Sequence, residues 1–359
     1  MDKRMPVELH EYRPVSLMQI AQATRSSVCT VSKVLNAVPG SIVSPPKREM
    51  ILATAKRLGY RPHRSARLFA SGRLDCIGLA VGAGGFTRWG NRATATLTME
   101  TLQGVTERLA ELNHTVMFAV LPEENTQEAL RREFLAERCV DGLITMFELT
   151  GPLADDLAAS GIAWSRVTHF RPDGSLHAIG VDILPAVLGA VQRLAELGHR
   201  RAGYVGLRQD TNPTGPGERQ ALYFSLCAQH GITIDPEFSV AAKDETHAYL
   251  ATQAMLRKPN LPTCLIYSAD HYAVTGIDAL LDAGKRVPEE ISVVGYDDAP
   301  YASESRVPLS TIRVPRKGIG RIAAQRVVDL KRDPATSRNS IALAAEWVER
   351  SSIGPAGVR

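Results

Sequence analysis

Four consecutive side chains, Ser27, Val28, Cys29 and Thr30, place two hydroxyls, a thiol and a branched apolar group at one point of the stretch SLMQIAQATRSSVCTVSKVLN, residues 16–36. On the first turn of a helix that enters a nucleic-acid groove, such groups can meet base edges and phosphates. The surrounding spacing supplies the helix. Leu17, Ile20 and Ala21 give one predicted helix a buried face, and Val28, Val31, Val34 and Leu35 give a second its own, with Val28 also near the exposed N-terminal end. Ser27 is placed to cap the second helix. The stretch therefore reads as a helix-turn-helix, and the plainer alternative is an ordinary helical hairpin.

Charge separates these readings. Residues 1–73 hold thirteen Lys or Arg against four Asp or Glu, a net of +9, whereas the whole chain is +4 and residues 74–359 therefore carry −5. A basic segment on a mildly acidic body is the electrostatic pattern of a DNA-binding domain joined to something that does not bind DNA. Ser44-Pro45-Pro46-Lys47-Arg48-Glu49 starts a third helix, with Ser44 as cap. Met50, Ile51, Ala53, Ala55 and Leu58 form its apolar stripe, and Gly59 stops it. Tyr60 to Gly72 then reads as a short basic helix after Pro62. It is too short to persist alone in water and is suited to a minor groove through Arg64, Arg67 and an apolar tip; the alternative is a basic linker.

The remainder alternates apolar runs with amphipathic stretches. Strands are expected at Cys76–Val81, Thr115–Leu121, Gly142–Met146, Ile162–Val167, Ala202–Gly206, Thr263–Tyr267 and Ile291–Gly295, with helices between, as at Thr98–Leu112 and Leu184–Leu197. This alternation implies parallel sheets covered by helices on both faces. Some 285 residues is long for one such sheet, so two lobes are expected. No window approaches 18 apolar residues, and the N-terminal segment lacks an apolar signal core, so neither a membrane partner nor export is expected. The five cysteines are odd in number and scattered without CxxC, which suits a reducing cytoplasm and argues against a disulfide framework or structural zinc. There is no catalytic constellation. His199 reads as a helix-end cation rather than a general base. Neither a metal nor a cofactor is expected: the glycine run at 82–85 lacks the GxGxxG spacing of a dinucleotide loop.

Taken together, TVSKVLN, LGYRP, ARLFASG and ISVVGYDD resemble the lactose and galactose repressor family of bacterial transcription factors, from about Val15 to about Ser352. The resemblance implies an N-terminal all-α helix-turn-helix with a hinge helix, then an α/β two-lobed core like that of periplasmic binding proteins. The corresponding spans are 1–61, 62–73 and 74–359. It implies crossings between lobes near Gly161–Asp182, Tyr296–Pro300 and Thr311–Val314. Carried onto this chain, Val28 and Cys29 fall where the family reads bases, with Thr30 beside them. Ser16, Ser27, Lys33, Asn36 and Tyr60 complete the DNA-facing set in the helical region, and Arg64 and Arg67 that of the hinge. Phe69, preceded by Leu68, stands where the family inserts a Leu between central base steps. Arg25 occupies a turn position that normally holds a small residue, so it either adds a phosphate contact or distorts the turn. Cys29 also raises a redox-switch alternative to a plain base contact.

For the core, the resemblance implies an effector site between the lobes. Asp297 in GYDD and Asp270 in SADHYA each follow a strand, and Arg219 stands where the family carries an effector-binding Arg. A carboxylate can accept two sugar hydroxyls, and a guanidinium offers a planar fork of donors. The alternatives are a solvated charge, an interlobe ion pair or, for Asp270, a helix cap. Ala269 replaces an Asn that contacts effector in relatives, so the hydroxyl pattern differs, and His271 is the neighbouring substitute. Phe86, Arg88, Trp89 and Asn91 lie on the loop that lines the family's cleft, while Phe147, Arg166 and His169 end strands on the same side. The function implied is a repressor of carbohydrate-use genes, not an enzyme. It would bind a pseudo-palindromic operator as a homodimer and answer to a sugar or sugar-acid effector. The competing class is a transport-type sugar-binding protein on the same core. The C-terminal tail lacks a leucine heptad, which favours a dimer over a tail-stapled tetramer.

Overall fold

The computed structural model describes residues 15–35, 42–60, 74–82, 92–122, 124–136, 139–147, 149, 152–168, 177–206 and 216–357, the side chains of 92–97 and 216–218 excepted. The chain divides into two compact units, Met1–Leu74 and Asp75–Arg359.

The first unit contains α1 (Leu17–Ala23), α2 (Val28–Leu35) and α3 (Pro45–Arg57). Its core is Ile20, Ala21, Val31, Val34, Ile51 and Ala55, with Leu17, Leu35, Leu58 and Tyr60 packed at the margin. In α3 the expected stripe holds at Ile51, Ala55 and Leu58 and fails at two positions. Met50 and Ala53 are exposed and Thr54 is buried beside Ala55, because a 3.6-residue turn groups 51, 54, 55 and 58 on one face. Ser44 holds the N-cap position of α3 but makes no side-chain cap bond. The prolines at the first two helical positions already dispense with two N–H groups that would otherwise need partners. Gly59, at φ +70°, ends the helix. Its N–H donates to Lys56 O and the N–H of Tyr60 to Ala55 O, the paired bonds of a Schellman stop.

The second unit carries two parallel sheets. The six-stranded sheet has the order β11-β5-β4-β3-β1-β2, built from β1 (Cys76–Gly82), β2 (Thr115–Leu121), β3 (Gly142–Thr145), β4 (Ala163–Val167), β5 (Ala178–Asp182) and β11 (Ile341–Ala344). The four-stranded sheet has the order β7-β6-β8-β9, from β6 (Arg201–Gly206), β7 (Thr233–Ala241), β8 (Cys264–Tyr267) and β9 (Ser292–Val294). A separate antiparallel pair joins β10 (Thr311–Arg313) to β12 (Glu346–Val348). The helices are α4 (Arg92–Glu111), α5 (Thr126–Leu130), α6 (Pro152–Ser160), α7 (Leu184–Glu196), α8 (Pro216–Gln229), α9 (Glu245–Leu256), α10 (Asp270–Asp282), α11 (Pro300–Glu304) and α12 (Arg316–Arg332).

All seven expected strands are present within a residue or so of their expected ends. Those the sequence pattern missed are β5, β7, β10, β11 and β12. The edge strand β7 contains Asp235 and Pro236, and the others are short or half polar. Of the three expected crossings, the one around Thr311–Val314 holds and the other two differ. β5 still pairs with β4, so the first crossing follows Asp182 rather than preceding it. Ala302 of α11 packs in the core of the four-stranded lobe, so the chain has not left that lobe at Pro300. It leaves after β10, when α12 lies on the six-stranded sheet, with Ser165 Oγ of β4 donating to Ala323 O at 3.2 Å. It returns between β11 and β12.

Helices α4 and α12 meet backbone to backbone. A Cβ at Gly320 would stand 2.2 Å from Thr101 O, and one at Gly104 2.1 Å from Lys317 O. This contact fixes the first turn of α12. His199 is not the helix-end cation expected. It is buried, its Nδ1 is 2.8 Å from Thr263 Oγ1 and its Nε2 is 3.1 Å from Gly354 O, and burial pushes its pKa down. It is a neutral strut under the C-terminal segment.

Candidate functional site

In the first unit, polar groups around the turn satisfy one another. Ser16 caps α1: its Oγ accepts from Gln19 N at 3.3 Å while Gln19 Oε1 accepts from Ser16 N at 2.8 Å. Ser27 Oγ accepts from Thr30 N at 3.0 Å and lies 2.8 Å from Thr30 Oγ1, as its capping role requires. Arg25 sits at φ +46°, a conformation that disfavours L residues by roughly 1–2 kcal/mol. The turn is held by Lys47 of α3, whose Nζ donates to Thr24 O at 3.0 Å and to Arg25 O at 3.1 Å. With Ser27 and Thr30 engaged, the outward groups on the first turn of α2 are Val28, 42% exposed, and Cys29. Arg25 and Lys33 are also exposed, and Tyr60 is half-buried. Among the described residues of this unit, Glu49 is the lone acid against six Lys or Arg. Asn36, Arg64, Arg67 and Phe69 lie outside the described residues.

In the second unit, the ends of β8 and β9, the start of α12 and α8 converge. Arg219 of α8 lies flat on Tyr296, with Cζ 3.4 Å from the ring centroid, and its guanidinium donates to Ser268 O. Asp297 sits at φ +126°, buried, and pairs with the equally buried Arg316 at 2.5 Å; Arg316 also donates to Asp297 O at 3.2 Å. The interlobe ion pair weighed as an alternative for Asp297 is therefore present. It joins the loop after β9 to the helix that packs on the six-stranded sheet. The next residue, Asp298, accepts from Arg313 and Arg350, each at 2.6 Å.

Asp270 is wholly buried. Oδ1 accepts from Thr311 Oγ1 at 2.5 Å and Oδ2 from Ala299 N at 2.8 Å, so it pins the loops after β8 and β9 together. It is the first residue of α10 rather than its cap, which is Ala269. Burial and the neighbouring Asp297 raise its pKa to about 7. Gly295 permits the approach, since a Cβ there would stand 2.4 Å from Asp270 Oδ1.

Several buried polar atoms around Asp297 and Arg219 have no hydrogen-bond partner among the described residues: Tyr223 Oη, Ser268 Oγ, His271 Nδ1, Tyr301 Oη and Arg316 Nε. Native interiors leave few such atoms unpaired, and bound water or a polar ligand is their usual partner. His271 feels Asp297 and Arg219, and burial lowers its pKa. Tyr301 feels Asp297 and Asp270, and burial raises its own. Glu100 of α4 stands half-buried within reach of Arg316 and Asp297, its pKa raised by burial and by the two aspartates after β9. Sequence reasoning singled out Asp297, Asp270, His271 and Arg219 but missed Arg316, Glu100, Tyr301, Tyr223 and Ser268. The basic residue after Val314-Pro315 was the available signal for Arg316. Phe147 packs over Gly82 at the end of β1, and Arg166 is buried in β4. Phe86, Arg88, Trp89, Asn91 and His169 lie outside the described residues.

A helical unit with an outward-facing capped helix, followed by a two-sheet α/β core with a polar cluster between its lobes, is an arrangement that suits a transcription regulator. The comparisons agree. Residues 191–353 match the periplasmic binding protein-like domain. The probable transcriptional repressor ExuR of Bacillus subtilis is 25% identical over 94% of this chain and 98% of its own length. The transcriptional regulator AglR of Rhizobium meliloti is 28% identical over 96% and 95%. Among solved structures, the lac repressor dimer bound to operator and an anti-inducer superposes with a TM-score of 0.77 at 24% identity, over 95% of this chain and 99% of that one. The transcriptional regulator CelR in complex with cellobiose gives 0.64 at 25% identity, over 95% and 100%. The chain is thus similar along nearly its whole length to transcriptional regulators of the lactose and galactose repressor type.

Proposed function

We propose that this protein is a sequence-specific DNA-binding repressor of carbohydrate-metabolism genes, controlled by a sugar or sugar-acid effector held between the two lobes of its core. It acts as a binding protein rather than an enzyme. The observation that carries the reading is the cluster of unpartnered buried polar atoms around Arg219 and the Asp297–Arg316 pair, in a chain that begins with a capped helix-turn-helix. Arg219 and the open edge of Asp297 would take effector hydroxyl or carboxylate groups. Val28 and Cys29 would meet base edges, with apolar readout such as a thymine methyl for Val28. Arg25, Lys33 and the capped ends of α1 and α2 would meet phosphates, and Phe69 would wedge a central base step.

The working form is a homodimer on a pseudo-palindromic operator. An unusual set of apolar groups supports it: Met99 of α4 is 54% exposed, and Phe118 and Val120 of the edge strand β2 are each 48% exposed. Effector acts through linkage. A ligand that favours one arrangement of the lobes shifts operator affinity only by its differential affinity for the two arrangements. The Asp297–Arg316 pair is the contact an effector would rearrange.

The test is a melting-temperature screen against neutral sugars, sugar acids and sugar phosphates, since a ligand of the folded state raises its melting point by mass action. A selective hit that disappears in Arg219→Ala supports the reading. A full panel without a hit opposes it.

A further inference from the structure

At the opposite end of the six-stranded sheet, where the strands begin, lies a pocket of about 260 Å³ lined by Gly161, Trp164, His177, Leu330, Lys331 and Arg338, among others. Its volume is smaller than most ligand pockets but larger than a cavity of about 150 Å³ that accepts benzene, so it suits a single ring. The walls divide by chemistry. Leu157, Ile162, Ala163 and Leu330 are apolar. Trp164 and His177 pack ring to ring with centroids 4.4 Å apart and add a flat aromatic wall.

The polar side holds the Lys331–Asp141 ion pair and the guanidinium of Arg338. Lys331 is committed to Asp141 at 2.7 Å and Asp75 at 3.0 Å. Arg338 lines the pocket with no carboxylate partner among the described residues, where its guanidinium makes a single long bond, 3.4 Å, to Pro334 O. His177 is 5% exposed, and its Nδ1 has no hydrogen-bond partner. Burial first, then the charges of Arg338 and Arg326, hold its pKa down to about 4 against a backbone hydrogen bond to Trp164 that raises it, so the ring is a neutral imidazole. An apolar slot, an uncommitted guanidinium at its mouth and an unsatisfied buried imidazole nitrogen are the complement of a small aromatic acid.

We propose that this pocket is a second ligand site, distinct from the interlobe cleft, that takes a monocarboxylate on a flat body the size of one ring. The carboxylate meets Arg338, and the ring lies against Trp164 and His177. Its place gives it a route to regulation. Asp75, the first residue of the core unit, is clamped by Lys331 and donates its N–H to Asp141 at 2.6 Å, and both partners line this pocket. A ligand here bears on the residue through which the chain leaves segment 62–73 and enters the core.

The test uses the full-length protein with 4-fluorobenzoate as probe and 4-fluorobenzyl alcohol as neutral control, followed by ligand-observed fluorine NMR. The expected result is saturable binding of the acid, with the alcohol weaker. The affinity should fall roughly tenfold or more in Arg338→Gln. Binding should be blocked in Ala158→Trp, which fills the pocket from an exposed rim position, and unchanged in Arg219→Ala, which disables the cleft alone. Should Ala158→Trp fail to fold, Arg338→Gln carries the same comparison from an exposed position. Absence of saturable binding, equal binding of acid and alcohol, or binding undiminished in Arg338→Gln would overturn the proposal. Loss in Arg219→Ala would assign the probe to the cleft and overturn it equally.

Discussion

The turn between α1 and α2 and the cleft around Asp297 are both dense in polar groups, and they treat those groups in opposite ways. In the turn, Ser16, Thr24, Ser26, Ser27, Thr30 and Lys47 all find partners within the unit, and what faces outward is Val28 and Cys29. In the cleft, five buried polar atoms lack partners among the described residues, and a buried ion pair stands among them. The first arrangement is a finished surface, its polar groups already paired. The second is an interior that a ligand would complete. A repressor needs both: a rigid reader, and a sensor with two states close enough in energy for a small molecule to choose between them.

The contrast breaks most severely at Asp297. Asp297→Ala leaves the Arg316 guanidinium buried without its counter-charge, and the expected loss is about 3–5 kcal/mol of stability, measured by urea unfolding. Replacing both members with apolar residues of similar volume should recover much of that loss while abolishing any effector response. Recovery of the response along with the stability would show that the pair is only structural.

Asp270 offers a pH-dependent version of the same comparison. Its pKa stands at about 7 in the fold against an ordinary 3.8. Between these values the folded state keeps a proton that the unfolded chain gives up. Its contribution is therefore full below pH 4 and is lost as pH rises through 7. Asp270→Asn can accept from Ala299 N through its carbonyl oxygen and donate its amide to Thr311 Oγ1, reversing the bond that Asp270 accepts there, and it removes the titration. The urea midpoint of the variant should gain on the wild type as pH rises from 4 to 7 and run parallel above 8. A constant difference across that range would mean Asp270 is ionised throughout.

In the turn the expected effects are smaller, because no buried charge is at stake. Ser27→Ala removes the cap of α2 and should reduce stability by about 1 kcal/mol. Arg25→Gly relieves the left-handed backbone at φ +46° and should raise stability by roughly 0.5–1 kcal/mol. If Arg25 meets a phosphate, the same variant lowers the salt dependence of operator binding by about one counterion. An unchanged slope would leave Arg25 with only the strained turn to explain it.

The two regions were also unequally legible in the sequence. The helical unit declares itself locally: 3.6-residue spacing, Ser27 before Val28 and Gly59 after α3 all lie within a turn or two of what they specify. Even there, Ser44 was misread as a side-chain cap, and nothing local announced that Lys47 would hold the turn from 22 residues away. The buried parallel strands were visible as continuous apolar runs, whereas β7 and the β10–β12 pair were not, being edge or half-polar segments whose pairing is set by tertiary contact. In the cleft, Asp297 and Arg219 were found by motif. Arg316 was not, because an ion pair 19 residues apart leaves no periodic trace. Glu100, Tyr223 and Tyr301 likewise acquire meaning only when sheets and helices bring them beside Asp297.

The most direct test joins the two regions in one experiment: operator affinity of the full-length protein, on a site obtained by in vitro selection, titrated with the ligand that raises its melting point most. The account predicts a change in operator affinity of roughly tenfold that disappears in Arg219→Ala, while that variant still binds operator in the absence of ligand. A ligand that stabilises the protein through the cleft yet leaves operator affinity unchanged would contradict it.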